Sequence, residues 1–129
     1  MTTLPCPCGG PEALEGCCGR YLGDDGTAAP TAEALMRSRY TAFARGDAEH
    51  LRRTWHPDTR PAELELDGSL RWTGLEIVDR SRGGLFDSEG VVEFRAHHRE
   101  GPRAGVLHER SRFVREAGRW LYVDGVVRR

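Results

Sequence analysis

All four cysteines of this 129-residue chain lie within one short segment near its N-terminus. They are Cys6, Cys8, Cys17 and Cys18, which gives the pattern C-x-C, eight residues and then C-C. No other feature limits the possible folds as strongly, because we expect thiols this close either to pair with one another or to share a ligand. The residues before them show no basic segment followed by an apolar one, so we expect no secretion and a cytoplasmic location, where disulfides are disfavoured.

Coordination of one metal ion explains the cysteine spacing better than disulfide bonding does. Adjacent cysteines such as Cys17 and Cys18 form a disulfide with each other only under strain. Pro7, Gly9 and Gly10 favour a tight turn that brings the first cysteine pair onto one ion. Four thiolates favour Zn²⁺ first and Fe²⁺ second, and a complete shell leaves no open position for a substrate. We therefore predict a structural metal site at the four cysteines, with disulfides or redox-active thiols as the first alternative and unliganded thiols as the second.

The charge balance argues against a nucleic-acid partner, and the lack of a long apolar run argues against a membrane. The chain has 19 basic and 20 acidic residues, a formal net charge of −1, and every basic residue is arginine. A nucleic-acid-binding domain normally carries a marked excess of basic residues. No apolar run approaches the roughly 20 residues that cross a bilayer. The 3 Trp, 3 Tyr and 4 Phe suffice for one modest core, so we expect one domain with a small appendage.

The first half of the body has the signals of two helices. Thr31 follows Pro30 as a helix N-cap, and Gly46 ends the helix. Asp47 caps a second, short helix that we predict to run through Leu51 to Trp55. The apolar stripe of the first helix consists of Ala32, Leu35, Met36, Tyr40 and Phe43, and we expect Arg37, Arg39 and Arg45 to point mostly to water.

The second half of the body has the pattern of an antiparallel sheet. Ala117-Gly118-Arg119 is typical of a hairpin turn, and the three residues from Leu64 to Leu66 fit a short strand or a helical turn equally well. Helices followed by a run of strands indicate an α+β fold with helices on one face of a curved sheet. The predicted strands are Leu70–Asp79, Val91–Arg99, Val106–Glu116 and Trp120–Val127. We divide the chain into a knuckle, 1–22, a linker, 23–30, and a body, 31–129.

The cysteine segment resembles a SEC-C motif, the small zinc knuckle that also occurs at the C-terminus of the SecA motor ATPase. Cys6, Cys8, Cys17 and Cys18 match the ligand positions of its double-cysteine variant one for one. The loop at residues 11–15 is acidic, whereas the motif usually carries lysine and aromatic residues there. The resemblance implies a bound zinc ion and a knuckle that docks a protein partner.

Four motifs of the body resemble the YchJ family. They are Met36–Phe43, the Trp55-His56-Pro57 triplet, His108–Phe113 and Trp120–Gly125. Members of that family join a SEC-C knuckle to a domain of the nuclear transport factor 2-like cone fold. The resemblance therefore implies a cone of helices packed on a curved antiparallel sheet, and a homodimer formed through the open sheet face.

Six polar residues are candidates for a pocket inside the cone. Glu109 and Ser111 share a strand face with Phe113, so all three point inward together. A buried glutamate needs a partner, which we expect Arg95 or His97 of a neighbouring strand to provide. The alternative is an internal ion-pair or hydrogen-bond network that only stabilises the sheet. The six candidates are His56, Arg95, His97, Glu109, Ser111 and Tyr122.

The remaining histidines and the large aromatic residues have simpler interpretations. We expect the His56 ring to bond the last free carbonyls of the second helix, and His50 to lie at the surface. His97 and His98 are adjacent on a strand, so they cannot chelate one ion together. Core packing is the expected role, and cavity lining the alternative, for Trp55, Trp72, Trp120 and Tyr122.

These observations favour a metal-binding protein that is not an enzyme. Its knuckle is structural or docks a partner, and its cone binds a partner or a small ligand. The first alternative is a small-molecule enzyme that transfers protons or adds water in the cone, with Glu109 or a histidine as acid–base. The second is an adaptor for the ribosome or a nucleic acid. The sequence has no glycine-rich phosphate loop, no serine elbow and no HExxH motif.

Overall fold

The structure, a computed structural model, describes residues 4–22, 27–64, 66 and 68–128. Within that part of the chain two short 3₁₀ turns, Leu14–Gly16 and Cys18–Arg20, precede the helices. Helices α1 and α2 comprise Ala32–Arg45 and Ala48–Arg53, and strands β1 to β4 comprise Arg71–Arg82, Glu89–Glu100, Arg103–Glu116 and Arg119–Val127. This order confirms the predicted α+β class.

Helix α1 begins and ends where the sequence signals predict. The Thr31 hydroxyl accepts a hydrogen bond from the Ala34 N–H at 3.0 Å, which satisfies one of the free donors of the first turn. Gly46 adopts a left-handed conformation, φ +75°, that costs glycine nothing and bulkier residues roughly 1–2 kcal/mol. The boundaries of α1 therefore follow from its two caps.

Helix α2 is shorter than predicted. Its N-cap Asp47 accepts from the His50 N–H as expected, but the helix ends at Arg53 rather than continuing to Trp55. Trp55 instead forms a parallel bridge with Tyr122 of β4, flanked by backbone hydrogen bonds of 2.7 and 2.8 Å. Pairing with the sheet therefore takes the backbone groups that a further turn of helix would have used.

The four strands form one antiparallel sheet in the order β1-β2-β3-β4. The predicted β3–β4 hairpin is present, with Ala117 and Gly118 at φ +52° and +77°, as a type I′ turn requires. Register shifts interrupt the β1–β2 and β3–β4 pairings. Such irregularities increase strand twist and curvature, so the sheet bends around the helices.

The core lies between α1 and one face of the sheet, which we call the inner face. Val92, Phe94 and Ala96 of β2 alternate into this core, as the pleat of a strand demands. Phe113 of β3 is on the same face, as predicted for it. The core also includes Cys6, Cys8, Leu14 and Cys18 of the knuckle together with Leu35, Met36, Tyr40 and Trp120.

Two residues that we expected at the surface are buried. Arg39 is 3% exposed and His50 2% exposed. The His50 Nε2 lies 2.9 Å from Ser38 Oγ, whose hydroxyl donates to the Leu35 carbonyl at 2.7 Å. Packing of α2 against α1 encloses His50, which the sequence pattern of so short a helix does not reveal.

The segments between the predicted elements are only partly described. Leu64 and Leu66 lie in neither a helix nor a strand, and Glu65 is outside the described residues. Residues 23–26 of the predicted linker are also outside them, whereas Ala29 is buried and the Pro30 carbonyl accepts from Trp120 Nε1 at 3.3 Å. None of the helices in the described ranges is both long and apolar enough to span a membrane.

Candidate functional site

The four cysteine sulfurs meet at one point beside α1. All four Sγ atoms lie within 4.8 Å of one another, and those of Cys8 and Cys17 are 3.6 Å apart. A tetrahedral zinc–thiolate site with bonds of about 2.3 Å has sulfurs separated by about 3.8 Å. Cys6, Cys8 and Cys18 are buried and Cys17 is half-buried. The donor set and its spacing fit one tetrahedral metal ion, and this arrangement indicates metal binding.

Short-range backbone contacts build this cluster. The Gly9 N–H donates to the Cys6 carbonyl at 3.0 Å, which closes a turn with Pro7 and Cys8 at its centre. Gly9 leaves this turn with a positive φ of +82°, a conformation that glycine adopts without strain. An antiparallel β-bridge between Pro5 and Ala13 then brings the chain back beside the first cysteine pair. The two 3₁₀ turns that follow carry the second cysteine pair inward. The predicted role of the glycines around the C-x-C pair is thereby confirmed for Gly9.

Helix α1 contributes two side chains to the knuckle. The buried Thr41 hydroxyl lies 3.7 Å from Cys6 Sγ, and the Arg37 Nη1 donates to the Cys8 carbonyl at 3.2 Å. Arg37 is itself held by Glu33, whose carboxylate lies 2.9 Å from its Nε. Hydrogen bonds from the second layer orient the ligands of a metal site and tune their basicity. Helix α1 therefore contacts the cluster twice, at the Cys6 side chain and at the Cys8 backbone carbonyl.

The thiols of the cluster influence one another's ionisation. A hydrogen bond from Cys18 lowers the pKa of Cys8 to about 4, while burial raises that of Cys17 to about 11. The hydrogen bond to Cys8, followed by burial, also raises the pKa of Cys18. Without a cation the cluster thus favours a thiolate at Cys8, beside the protonated thiols of Cys17 and Cys18. A bound cation removes the repulsion that keeps the other thiols protonated, because it compensates the charge of all four thiolates.

A cavity of about 240 Å³ lies between α1 and the inner face of the sheet. Its walls are mostly apolar, and the lining residues include two charged side chains, Arg39 and Glu109. Trp72 contacts both Tyr40 and Phe43, with ring centroids 6.0 Å apart in each case. The remaining lining residues are Met36, Trp55, Phe94, Ala96, Leu107 and Tyr122. Cavity lining is therefore the role of Trp55, Trp72 and Tyr122, whereas Trp120 is buried in the core.

Glu109 points inward, as its alternation with Phe113 predicts. Its Oε2 accepts from the Ser111 hydroxyl at 2.9 Å, and Ser111 is completely buried. A Cβ atom at Gly125 would lie only 2.5 Å from Glu109 Cδ, so the glycine leaves the space that this carboxylate occupies. Glu109 and Tyr122 line the cavity, and Ser111 supports Glu109 from behind.

The prediction that Arg95 or His97 partners Glu109 is wrong. Glu109 lies opposite Phe94 in the β2–β3 register, so Arg95 and His97 are on the other face of the sheet. There the His97 ring lies 2.8 Å from Glu76. The β2 residues that pair with Glu109 and its neighbours could not be assigned before the strand register was known.

The prediction that His56 caps the second helix is also wrong. Its Nε2 lies 3.0 Å from the Glu116 carboxylate, outside the cavity lining. The Leu51 carbonyl near the end of α2 accepts instead from Arg39 Nη1 at 2.9 Å. The backbone N–H of Thr54 bonds another carbonyl of that turn. The helix end is therefore satisfied without His56.

Arg39 is the cavity residue that the sequence interpretation missed. It lies four residues after Leu35 and four before Phe43, so its position belongs to the apolar side of the helix. Its charge led us to place it in water. The position of an arginine on the apolar side of a helix was the one sign in the sequence that this charged side chain is buried.

Comparison with known proteins agrees with this structure. The family model of the YchJ middle NTF2-like domain matches residues 31–125. The UPF0225 protein SCO1677 of Streptomyces coelicolor is 61% identical over 125 residues, covering 97% of both chains. A UPF0225 protein of Chromobacterium violaceum is 56% identical over 95% of this chain and 92% of its own.

Two solved structures of SEC-C motif proteins have a similar fold. The solution structure of RPA3114 from Rhodopseudomonas palustris has a TM-score of 0.82 and 32% identity, covering 96% of this chain and 98% of its own. The crystal structure of a protein from Psychrobacter arcticus has a TM-score of 0.75 and 28% identity, covering 100% and 84%. These matches support a SEC-C motif at the cysteine cluster, and the chain belongs to the YchJ family.

Proposed function

We propose that this chain is a zinc-binding protein in which the ion fastens the N-terminal knuckle to helix α1. The observation that carries the proposal is the convergence of four cysteine sulfurs within 4.8 Å of one another. The knuckle is too small to fold on a core of its own, so the metal supplies most of its folding free energy, on the order of 10 kcal/mol. The ion is structural, because four thiolates leave no position for a substrate.

The position of the cluster supports this role. Cys6, Cys8, Leu14 and Cys18 belong to the same hydrophobic core as α1 and the sheet. The Thr41 hydroxyl and the Arg37 guanidinium join the cluster to α1. A folded knuckle thus covers one side of α1, and a disordered one would expose it. We expect the ion to stabilise α1 of the body as well as the knuckle.

Zinc is our choice of ion, with iron second. Four thiolates bind both ions in tetrahedral geometry, and zinc is the ion that such closed four-cysteine structural sites most commonly hold. The two ions differ in colour after exposure to air, since a zinc–thiolate site has no visible absorption and an iron–thiolate site becomes strongly coloured when Fe²⁺ is oxidised to Fe³⁺. The spectrum of the purified protein distinguishes them.

Cobalt substitution tests the ligand set directly. We expect the metal-depleted chain to bind one Co²⁺ with visible absorption bands typical of tetrahedral thiolate coordination, and Zn²⁺ to displace it. Cys17→Ser removes one ligand and should weaken or change these bands. Glu15→Ser is the matched control, because Glu15 is exposed in the same loop. A cobalt spectrum that is identical in the Cys17 variant would contradict the proposal.

A further inference from the structure

The cavity contains a buried positive charge, Arg39, that forms no ion pair within the described residues, although the charge of Glu109 acts on it across the cavity. Arg39 is 3% exposed, and both of its hydrogen bonds there use Nη1, to the Leu51 carbonyl and to the Thr54 hydroxyl. Its other N–H groups have no partner in that part of the chain, and it forms no ion pair with Glu109 or any other described carboxylate. Buried charges are costly unless they are paired, so a guanidinium in this position favours an anionic ligand.

Two aromatic rings hold the guanidinium in place. Its central carbon lies 5.1 Å from the ring centroid of Trp55 and 4.5 Å from that of Tyr122. Burial lowers the pKa of Arg39 to about 10, so the group remains charged at neutral pH. A guanidinium with fixed orientation presents a planar fork of N–H donors, which matches the two oxygens of a carboxylate.

Besides Arg39, the cavity lining has two polar groups and a set of apolar walls that a ligand would have to match. Trp55 lines the cavity, and its indole N–H is buried with no hydrogen-bond partner in the described ranges. Among the residues that the structure describes, the Glu109 carboxylate accepts a hydrogen bond from Ser111 alone. The walls between these groups are largely aromatic, including Phe43 and Trp72. Aromatic rings pack favourably against such walls, edge to face or offset.

We propose that this cavity binds a small aromatic carboxylate, with the carboxylate on Arg39, the ring against Phe43 and Trp72, and a hydroxyl or amino substituent donating to Glu109. This site is independent of the metal proposal, because its described lining residues all belong to the body and none to the knuckle. A phosphate dianion fits it less well, since a single arginine faces it and Glu109 repels a second negative charge.

The size of the cavity sets an upper limit on the ligand. An apolar cavity of about 150 Å³ holds one benzene molecule. A cavity of about 240 Å³ therefore has room for one substituted six-membered ring, or a small bicyclic ring, with its carboxylate. Fatty acids and dinucleotides are too large to be enclosed.

Calorimetric titration of the metal-loaded protein tests the proposal. The probes are benzoate and the three isomeric hydroxybenzoates, with uncharged benzamide as the control compound. We expect benzoate to bind with a Kd below about 1 mM, and benzamide to bind at least about tenfold more weakly, because a guanidinium–carboxylate pair is a strong charge-assisted contact. At least one hydroxybenzoate should bind more tightly than benzoate, and Glu109→Gln should reduce that gain.

Three variants locate the binding. Arg39→Lys keeps the charge but loses the planar fork, and should weaken benzoate binding about tenfold or more. Because Arg39 also bonds α2, Leu107→Trp provides a second test that fills the cavity from the sheet. Val106→Trp is its matched control, since Val106 is exposed and adjacent on the strand. We expect Leu107→Trp to abolish binding and Val106→Trp to leave it unchanged.

Three results would overturn the proposal. They are the absence of binding by all four carboxylates at about 5 mM, equal affinity for benzoate and benzamide, and binding that survives Leu107→Trp in a folded protein. Metal content is measured on the same samples, so a failure of ligand binding is distinguished from a failure of the metal site.

Discussion

At the scale of single residues, the chain buries two polar side chains that their residue types place at the surface. Arg39 and His50 are both buried on or beside the apolar side of α1, and each is held by hydrogen bonds from the helix pair. The helical spacing located Arg39 correctly, but residue type alone suggested water. The four cysteines were predictable from spacing because thiols have few roles, whereas an arginine has many.

Burial of His50 makes the stability of the protein depend on pH. Burial, then the positive charge of Arg39, lowers the pKa of His50 from 6.5 to about 4. Its Nδ1 has no hydrogen-bond partner in the described residues, so the folded state does not accommodate a second proton there. Between these pH values the unfolded chain binds more protons than the folded one, and the free energy of unfolding falls as the pH decreases.

We expect this histidine to contribute about 3 kcal/mol to that fall between pH 6.5 and pH 4. Urea denaturation across the range measures it. His50→Gln keeps a donor for Ser38 and should show a smaller loss than the unaltered chain. Equal slopes for the two proteins would contradict the assignment.

Gly19 tests how closely the knuckle is packed. A Cβ atom at this position would lie 2.6 Å from the Leu14 carbonyl oxygen, a backbone atom that cannot simply rotate away. We expect Gly19→Ala to cost about 1–3 kcal/mol of knuckle stability and to speed loss of the metal to a chelator. Gly16→Ala is the control, because its nearest neighbour would be 3.9 Å away. Equal rates of metal loss in both variants would refute this account of the packing.

At the scale of elements, α1 separates the two candidate sites. Arg37 and Thr41 of this helix contact the cysteine cluster, whereas Arg39 and Phe43 line the cavity. The limits of α1 were predictable from its caps, because cap signals are local. The error at Arg95 and His97 arose from strand register, which depends on pairing between distant segments and leaves no local signal.

The β3–β4 hairpin allows a direct test at this scale. Ala117 has a positive φ of +52°, which is unfavourable for alanine and common for asparagine. We expect Ala117→Asn to raise the free energy of unfolding by about 0.5–1 kcal/mol, measured by urea denaturation. Ala104→Asn, at an exposed position within β3, should give no gain. A loss of stability in the Ala117 variant would show that the turn is not of type I′.

At the scale of the whole molecule, the knuckle and the body share one core. The sequence led us to treat them as separate units joined by a linker, and the buried contacts of Cys6 and Leu14 with the body were not visible in it. Local spacing reveals a ligand set, but it does not reveal what the folded knuckle packs against. The family resemblance supplied the cone fold, which strand patterns alone would have left as a generic α+β sheet.

Chelation should therefore affect more than the knuckle. We predict that removal of the metal disorders residues 5–20 and leaves the cone folded, with partial loss of protection in α1 where Thr41 is uncovered. Hydrogen–deuterium exchange measures this: fast exchange in the knuckle, intermediate loss in α1 and unchanged protection in β2 and β3. Cys17→Ser without chelator should give the same pattern. Loss of protection throughout the sheet would contradict the prediction.

The metal content of the protein, purified without a tag and without added metal, tests the central claim most directly. Elemental analysis should find about one zinc ion per chain, and the unfolded, metal-free protein should have four titratable thiols, one for each cysteine. About one iron per chain would keep the site and replace the ion. No metal, with fewer than four titratable thiols, would show that the cysteines form disulfides and would contradict the account.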